Sequence, residues 1–439
     1  MSDKLATNLR LHTFAVDVTP PTGDYLCGGL HGRSTGVESH LWLRGMIFDT
    51  GDMRCIIASI DFCYLAGRSH ARLVDAIASA ANISESQVTV HSTHAHDAPL
   101  IDEEAHGILQ RYGHAVHNEA GFQELLAGAH QSVSLALKGN GVRVAAIAAS
   151  QHPVHEFAGN RRIIGTDGKC LTRWSICGNP AIRDAPCGTI DPALRQVILF
   201  NEQNTAIAAI HCYACHPQVS DGRGLISSDA PGRALGLFNS AYPGVFSIYF
   251  TGCAGDITGG KFTTRNKVRN QILFGNRLFD AMDAAFLKAD PHPFETLRWS
   301  DRVFHLPLTP VTEPLSYWED RMRSPGDGEQ PVAHAYLAAM KAQRLAGKIH
   351  GYPFRLSRLS LNGVDLLFCP SELLLEYQRF AQSLKPQVMV VAYGDSFLKY
   401  VAPASCFAEG GYEVESLWTE VGPDAEPIIK DHIRAVLKT

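Results

Sequence analysis

What most constrains this chain is a pair of tight hairpin signals inside an otherwise regular alternation of strand-like and helix-like segments. Asn362-Gly363 separates two strand-like runs, 354–361 and 364–368, and Asn-Gly is the strongest short-range signature of a two-residue antiparallel turn. Asp49-Thr50-Gly51-Asp52 stands between runs 46–48 and 55–62 in the same way. Helical spacing is expected at 69–81, 119–137, after Asp229, and at 264–287, 331–346, 372–384 and 426–437. Strands are expected between them at 13–18, 88–90, 142–149, 197–201, 206–212, 245–251, 300–308 and 388–393. Helical crossovers alone would build a parallel sheet, and the hairpins force antiparallel pairs into it. The expected fold class is therefore α/β, with mixed β-sheets flanked by helices. Residues 150–190 read as a long irregular excursion, suited to a lid or to a subunit contact in a homo-oligomer. No linker or composition break interrupts the chain, so residues 1–439 are read as one domain.

Composition removes several classes of function. With 45% hydrophobic and 19% charged residues the chain has the make-up of a folded core, not of a disordered segment. Its 39 basic residues against 44 acidic ones give a net charge of −5, so no nucleic-acid partner is expected. No run approaches the ~18 apolar residues of a membrane span, so no integral membrane segment is expected. The opening Met-Ser-Asp-Lys-Leu-Ala-Thr-Asn-Leu-Arg lacks the apolar core of a secretion signal. Together with 11 scattered cysteines, read as reduced thiols, this places the expectation in the cytoplasm. The unusual count is 20 histidines, since imidazole is both the commonest metal ligand and an acid–base group near neutral pH.

Four segments concentrate chemistry. His91-Ser-Thr-His94-Ala-His96-Asp-Ala-Pro99 follows a short β-branched strand, and α/β sheets place their sites at strand ends of this kind. In an extended segment residues i and i+2 share a face, so His94 and His96 can enter one cavity, as metal ligand or substrate contact; two satisfied loop imidazoles is the plainer reading. His211-Cys-Tyr-Ala-Cys215-His216 contains a literal haem-attachment pattern. The absent export signal and the apolar strand running into Cys212 argue against haem, and a metal ligand at His216 fits better. Thr251-Gly-Cys-Ala-Gly255-Asp-Ile-Thr258-Gly259-Gly260-Lys261 lacks P-loop spacing, so its glycines serve close backbone approach. Nearby, Ser228 or Asp229 fits a helix cap. Cys369-Pro-Ser-Glu372 sets a carboxylate at a strand-to-helix junction, where it is either a first-turn helix residue or a hard oxygen ligand.

Taken together, the chain resembles the neutral/alkaline ceramidase family, catalytic domain. Val16-Asp-Val-Thr-Pro-Pro-Thr-Gly23, Thr93-His94-Ala-His96 with Pro99, Asn160-Arg161, Ser227-Ser-Asp229 with Gly232, Gly255-Asp-Ile257, Pro370-Ser-Glu372, and Tyr400-Val401 followed by Gly411-Tyr412-Glu413 are similar to that family's segments, in order. The resemblance implies an enzyme: a zinc-dependent hydrolase whose Zn2+ is held by His94, His216, Glu372 and Tyr400. It implies substrate contacts from His96, Arg161 and Tyr412, with Thr258 standing where the family loop carries a serine. Water acidified by the metal would attack a carbonyl, and His96 or Tyr412 would donate to the oxyanion. The loop departs from the family in Thr258-Gly259, and family ceramidases are exported or membrane-facing and carry a further C-terminal β-domain. The expectation is therefore hydrolysis of an amide, ester or lactone bond in a small, polar substrate. True ceramidase activity, or a non-catalytic metal- or carbohydrate-binding relative, are the alternatives.

Overall fold

Strands Trp42–Asp49 and Arg54–Ile60 are apolar on both faces, and this explains their position. Met46, Phe48, Cys55 and Ile57 point one way while Ile47, Ile56, Ala58 and Ile60 point the other, and all are buried. A strand with two apolar faces needs a layer on each side. In the computed structural model, which describes residues 8–325 and 330–438, the layers are sheets within and helices without.

Three larger sheets form the interior. The first runs Val88–Ser92, Arg54–Ile60, Trp42–Asp49, Arg10–Asp17 and Val142–Arg143. The second runs Phe246–Thr251, Ala206–Tyr213, Ala193–Phe200, Ala146–Pro153 and His292–Pro293. The third runs Leu297–Pro307, Gly351–Leu361, Val364–Phe368 and Met389–Val391. Each is mixed: the hairpins pair antiparallel, while Arg54–Ile60 with Val88–Ser92, Ala206–Tyr213 with Phe246–Thr251, and Val364–Phe368 with Met389–Val391 pair parallel. One apolar core joins all three, containing Met46 and Phe48 from the first, Leu199 and Ile210 from the second, and Leu359 and Phe368 from the third. Helices Arg68–Ala81 and Glu119–Ala136 bury Leu73, Ile77, Phe122 and Val133 against the first sheet's outer face. Asp229–Ala241 and Lys267–Leu287 cover the second, and Ala425–Lys438 covers the third. The mixed sheets with flanking helices are those read from the sequence.

Several boundaries differ. The strand expected at 142–149 is two strands in two sheets, Val142–Arg143 and Ala146–Pro153, because the chain crosses from one layer to the next within it. The helix expected from 372 begins at Leu375; Glu372 instead belongs to a two-residue strand paired parallel with Tyr400–Val401. The 150–190 excursion contains a hairpin, Arg162–Ile164 with Cys170–Thr172, and a short helix, Pro180–Arg183. Asn362 and Gly363 both have positive φ, as their two-residue turn requires. No helix among the described residues is long and apolar enough to cross a membrane. Residues 1–7, which carry most of the opening segment read for an export signal, lie outside the described residues.

Candidate active site

The carboxyl ends of the parallel-paired strands from all three sheets converge, and each delivers a polar side chain just beyond its last ladder residue. His94 follows Val88–Ser92, His216 follows Ala206–Tyr213, Glu372 follows Val364–Phe368, and Tyr393 follows Met389–Val391. His94 and His96 do enter one cavity, their ring centroids 5.0 Å apart, but not through an extended i, i+2 arrangement. His94 stands in the left-handed region at φ 68°, and the chain turns through it. Ser371, Tyr393 and Lys399 share that conformation, so strained non-glycine residues gather around one cavity, as they do at functional sites.

His94 Nε2 and His216 Nε2 lie 3.2 and 3.3 Å from the same carboxylate oxygen, Glu372 Oε2. All three atoms are buried and lack a hydrogen-bond partner. The other ring nitrogens explain why. His94 Nδ1–H donates to the Cys63 carbonyl at 2.8 Å and His216 Nδ1–H to that of Ala254 at 2.5 Å, which leaves lone pairs on both Nε2 atoms. Two lone pairs facing a carboxylate with no proton between them call for a cation. A tetrahedral ion with bonds of about 2.05 Å separates its ligands by about 3.3 Å, and both nitrogen-to-carboxylate spacings match that value. The two backbone carbonyls supply the second layer of contacts that orients ligating imidazoles.

Tyr400 arrives by strand register, directly opposite Glu372 in the parallel pair, so the two side chains leave the same face. Its hydroxyl lies 3.4 Å from that of Tyr412. Burial pushes the Tyr400 phenol up, opposed by Arg161, whose guanidinium sits 5.2 Å above its ring and 5.0 Å above that of Tyr412. Arg161 is itself fixed, by Glu413 Oε1 at 3.2 Å and by the Gly255 carbonyl. Gly255-Asp256-Ile257 thus acts as a brace: besides Arg161, the Ile257 carbonyl accepts from His216 N, and Asp256 holds Asn160 and Leu375 N. Thr258 is not brought to the cavity; it is fully buried, and its Oγ1 accepts a hydrogen bond from Gly260 N. Ser228 makes no capping bond, and Asp229 turns its carboxylate back to Ser220 N and Oγ, pinning the loop that follows His216. Cys212 and Cys215 are buried, all eleven cysteines are free thiols, and His216 Nε2 is committed to Glu372.

The cavity holds about 350 Å³. His94, His96, Arg161, Glu372, Tyr400 and Tyr412 line it, together with residues that sequence patterns did not mark: Cys27, His31, Cys63, Tyr64, Trp174, Gln218, Asp221 and Tyr336. These come from five separate parts of the chain, with Tyr336 on helix Pro331–Ala346, so no local spacing announces them together. The 150–190 excursion supplies one wall through Trp174, half-exposed and stacked on Tyr412 at 5.1 Å. Tyr393 stacks on His94 at 4.3 Å.

No protein-family model matches the chain, and no curated protein matches it in sequence. Among solved structures it is similar to neutral ceramidase from Pseudomonas aeruginosa, with a TM-score of 0.72 at 14% identity over 99% of this chain and 74% of that one. A ceramidase complexed with C2 gives a TM-score of 0.71 at 15% identity over 98% of this chain and 75% of that one. The fold is ceramidase-like.

Proposed function

We propose that the protein is a zinc-dependent hydrolase that cleaves an amide, ester or lactone bond in a small, polar substrate. The observation that carries this reading is the His94–His216–Glu372 set, in which two imidazole nitrogens and a carboxylate oxygen meet, buried and without hydrogen-bond partners, beside a cavity that His94 and Glu372 line. Tyr400, opposite Glu372 in register, is the fourth ligand in this reading. A zinc ion there supplies Lewis acidity, polarising a carbonyl and acidifying water to a pKa of about 7.

The remaining work falls to the chain's own residues. Glu413 and the Gly255 carbonyl hold Arg161 rigid, so its charge is available to a substrate oxygen without reorganisation. Tyr412, clamped between Trp174 and Arg161, keeps its proton because burial pushes the phenol up, and it serves as a hydrogen-bond donor. His96 presents an unpartnered Nε2 from the same wall. One such donor aimed at a developing oxyanion is worth about 3–4 kcal/mol.

The likeness to neutral ceramidase supports the reaction type, while cavity size favours a smaller substrate. A volume of about 350 Å³ sits at the low end of ligand cavities, roughly 300–1,000 Å³. His31, Gln218 and Asp221 line it beside the apolar Leu30, Leu100, Trp174, Leu337 and Trp418. The test compares kcat/KM for short- and long-chain ceramides with sugar-derived lactones, esters and N-acyl compounds. The expected outcome is higher turnover of a polar compound. A ceramide preferred about tenfold over every polar compound, roughly 1.4 kcal/mol of transition-state preference, would replace this reading with a true ceramidase.

A further inference from the structure

A second set of ligand-type atoms meets in the same cavity. His31 Nε2 lies 3.3 Å from Asp221 Oδ2 and 3.5 Å from His96 Nδ1, and His96 Nδ1 lies 3.7 Å from Asp221 Oδ2. The three residues come from unrelated segments: the loop after a short turn at Cys27–Gly29, the turn after Val88–Ser92, and the loop after His216. Hydrogen bonding accounts poorly for the triangle. The His31 N–H can serve the 3.3 Å contact, but the 3.5 and 3.7 Å contacts are longer than ordinary hydrogen bonds. A central cation would satisfy all three, because ligands on a tetrahedral first-row ion stand about 3.4 Å apart.

The surroundings favour positive charge. Asp97, next in sequence to His96, has a buried and unpartnered Oδ2. The loop is shaped for the approach: Gly222, at φ +70°, packs beside the His31 ring, where a Cβ would come within 3.1 Å of Nδ1. Asp97 Oδ1 accepts from Gly222 N at 2.8 Å, and Lys267 Nζ donates to the Asp221 carbonyl, so the loop is held from both sides.

We propose that His31, His96 and Asp221 form a second divalent-cation site, open to the cavity and adjacent to the His94–His216–Glu372 set. Two imidazoles and one carboxylate with free positions suit a first-row ion such as Zn2+. The consequence for catalysis rests on the function proposed above. A cation on His96 Nδ1 leaves the imidazole proton on Nε2, the nitrogen left unpartnered in the wall shared with His94 and His216, whose rings are 5.0 and 5.7 Å away. The second ion therefore fixes His96 as a donor toward the reacting group.

The full chain, stripped with chelator, is titrated with zinc chloride and its bound zinc measured after desalting, with thermal melts to verify folding. The expected result is two equivalents for the wild type, one for Asp221→Asn, one for His31→Ala, one for Glu372→Gln and none for Asp221→Asn combined with Glu372→Gln. Zinc unchanged in both Asp221→Asn and His31→Ala overturns the second site. A single equivalent lost only in Glu372→Gln does so while leaving the first site intact, and a single equivalent lost only in Asp221→Asn does the reverse. Should His31→Ala fail to fold, the isosteric Asp221→Asn carries the test. Anomalous scattering at the zinc edge gives a direct reading: a peak bounded by His31, His96 and Asp221 is expected, and zinc-soaked crystals without it refute the site.

Discussion

His94 and His96 are two residues apart and differ in what their second nitrogen touches. His94 gives its Nδ1 proton to the Cys63 carbonyl and turns Nε2 to Glu372, whereas His96 turns Nδ1 to His31 and Asp221. The two substitutions should therefore separate. His94→Ala is expected to lose the zinc that Glu372→Gln removes, and activity with it. His96→Ala keeps that zinc while kcat falls about 10²–10³-fold, the cost of one oxyanion donor. Zinc competition against a chelator, run beside single-turnover kinetics, decides the point. Equal zinc loss from the Glu372 site in both variants would show the roles divided wrongly.

At the scale of elements, the site depends on a two-residue strand pair that no propensity would nominate. Glu372–Leu373 lies against Tyr400–Val401 on one side, and Gly255 N donates to the Leu373 carbonyl on the other. A Cβ at Gly255 would sit 2.8 Å from the Glu372 carbonyl and 3.0 Å from that of Leu373, and backbone cannot swing aside as a flexible side chain can. Gly255→Ala is expected to cost about 1–3 kcal/mol and to weaken zinc binding about 10–100-fold by displacing Glu372. Gly236, inside helix Asp229–Ala241 with open space around it, is the control. Alanine there should stabilise by about 0.4–1 kcal/mol and leave zinc affinity unchanged. Denaturant melts and zinc titration of both variants check the pair, and equal zinc affinity in the two would remove Gly255 from its bracing role.

For the molecule as a whole, the most concentrated buried charge is Glu420, which accepts from Lys341, Arg344 and Lys399. It ties helix Pro331–Ala346 to the segment that carries Tyr400. Burial would raise Glu420, but Lys399, Lys341 and Arg344 bring it down to about 2. Because its folded pKa is depressed, its contribution is complete above the unfolded value of 4.5 and is lost as pH falls from there toward 2. Lys341 acts in another window. Burial and Lys399 lower it to about 7, so the unfolded chain binds the extra proton between pH 7 and 10.5, and stability from this group rises with pH there. Glu420→Gln is expected to lose about 3–5 kcal/mol at pH 7, since it leaves the buried Lys399 and Arg344 cations, and the Lys341 amine, without their carboxylate. Its stability should also fall less steeply than the wild type's between pH 4.5 and 2. Urea melts across that range test both statements, and parallel pH slopes would show that Glu420 does not govern acid stability.

Local pattern was enough for the elements and for part of the chemistry. Asn362-Gly363 determined an antiparallel hairpin because only such residues accept its positive φ values, and 3.6-residue periodicity located helices 68–81, 119–136 and 331–346 to within about a residue. The segments holding His94, His216 and Glu372 stood out because each joins a strand end to polar ligand types. What the sequence could not determine is how those strand ends meet. The two-residue pairing that sets Tyr400 opposite Glu372 has no periodicity to read, being stabilised by the sheets around it. His31 and Asp221 belong to no spacing pattern at all, since 190 residues separate them and only the packing of the three sheets brings them within 3.3 Å. A ligand set gathered from strand ends of different sheets is a property of their shared core. The sequence encodes that core as buried apolar faces, and only the folded chain turns it into distances.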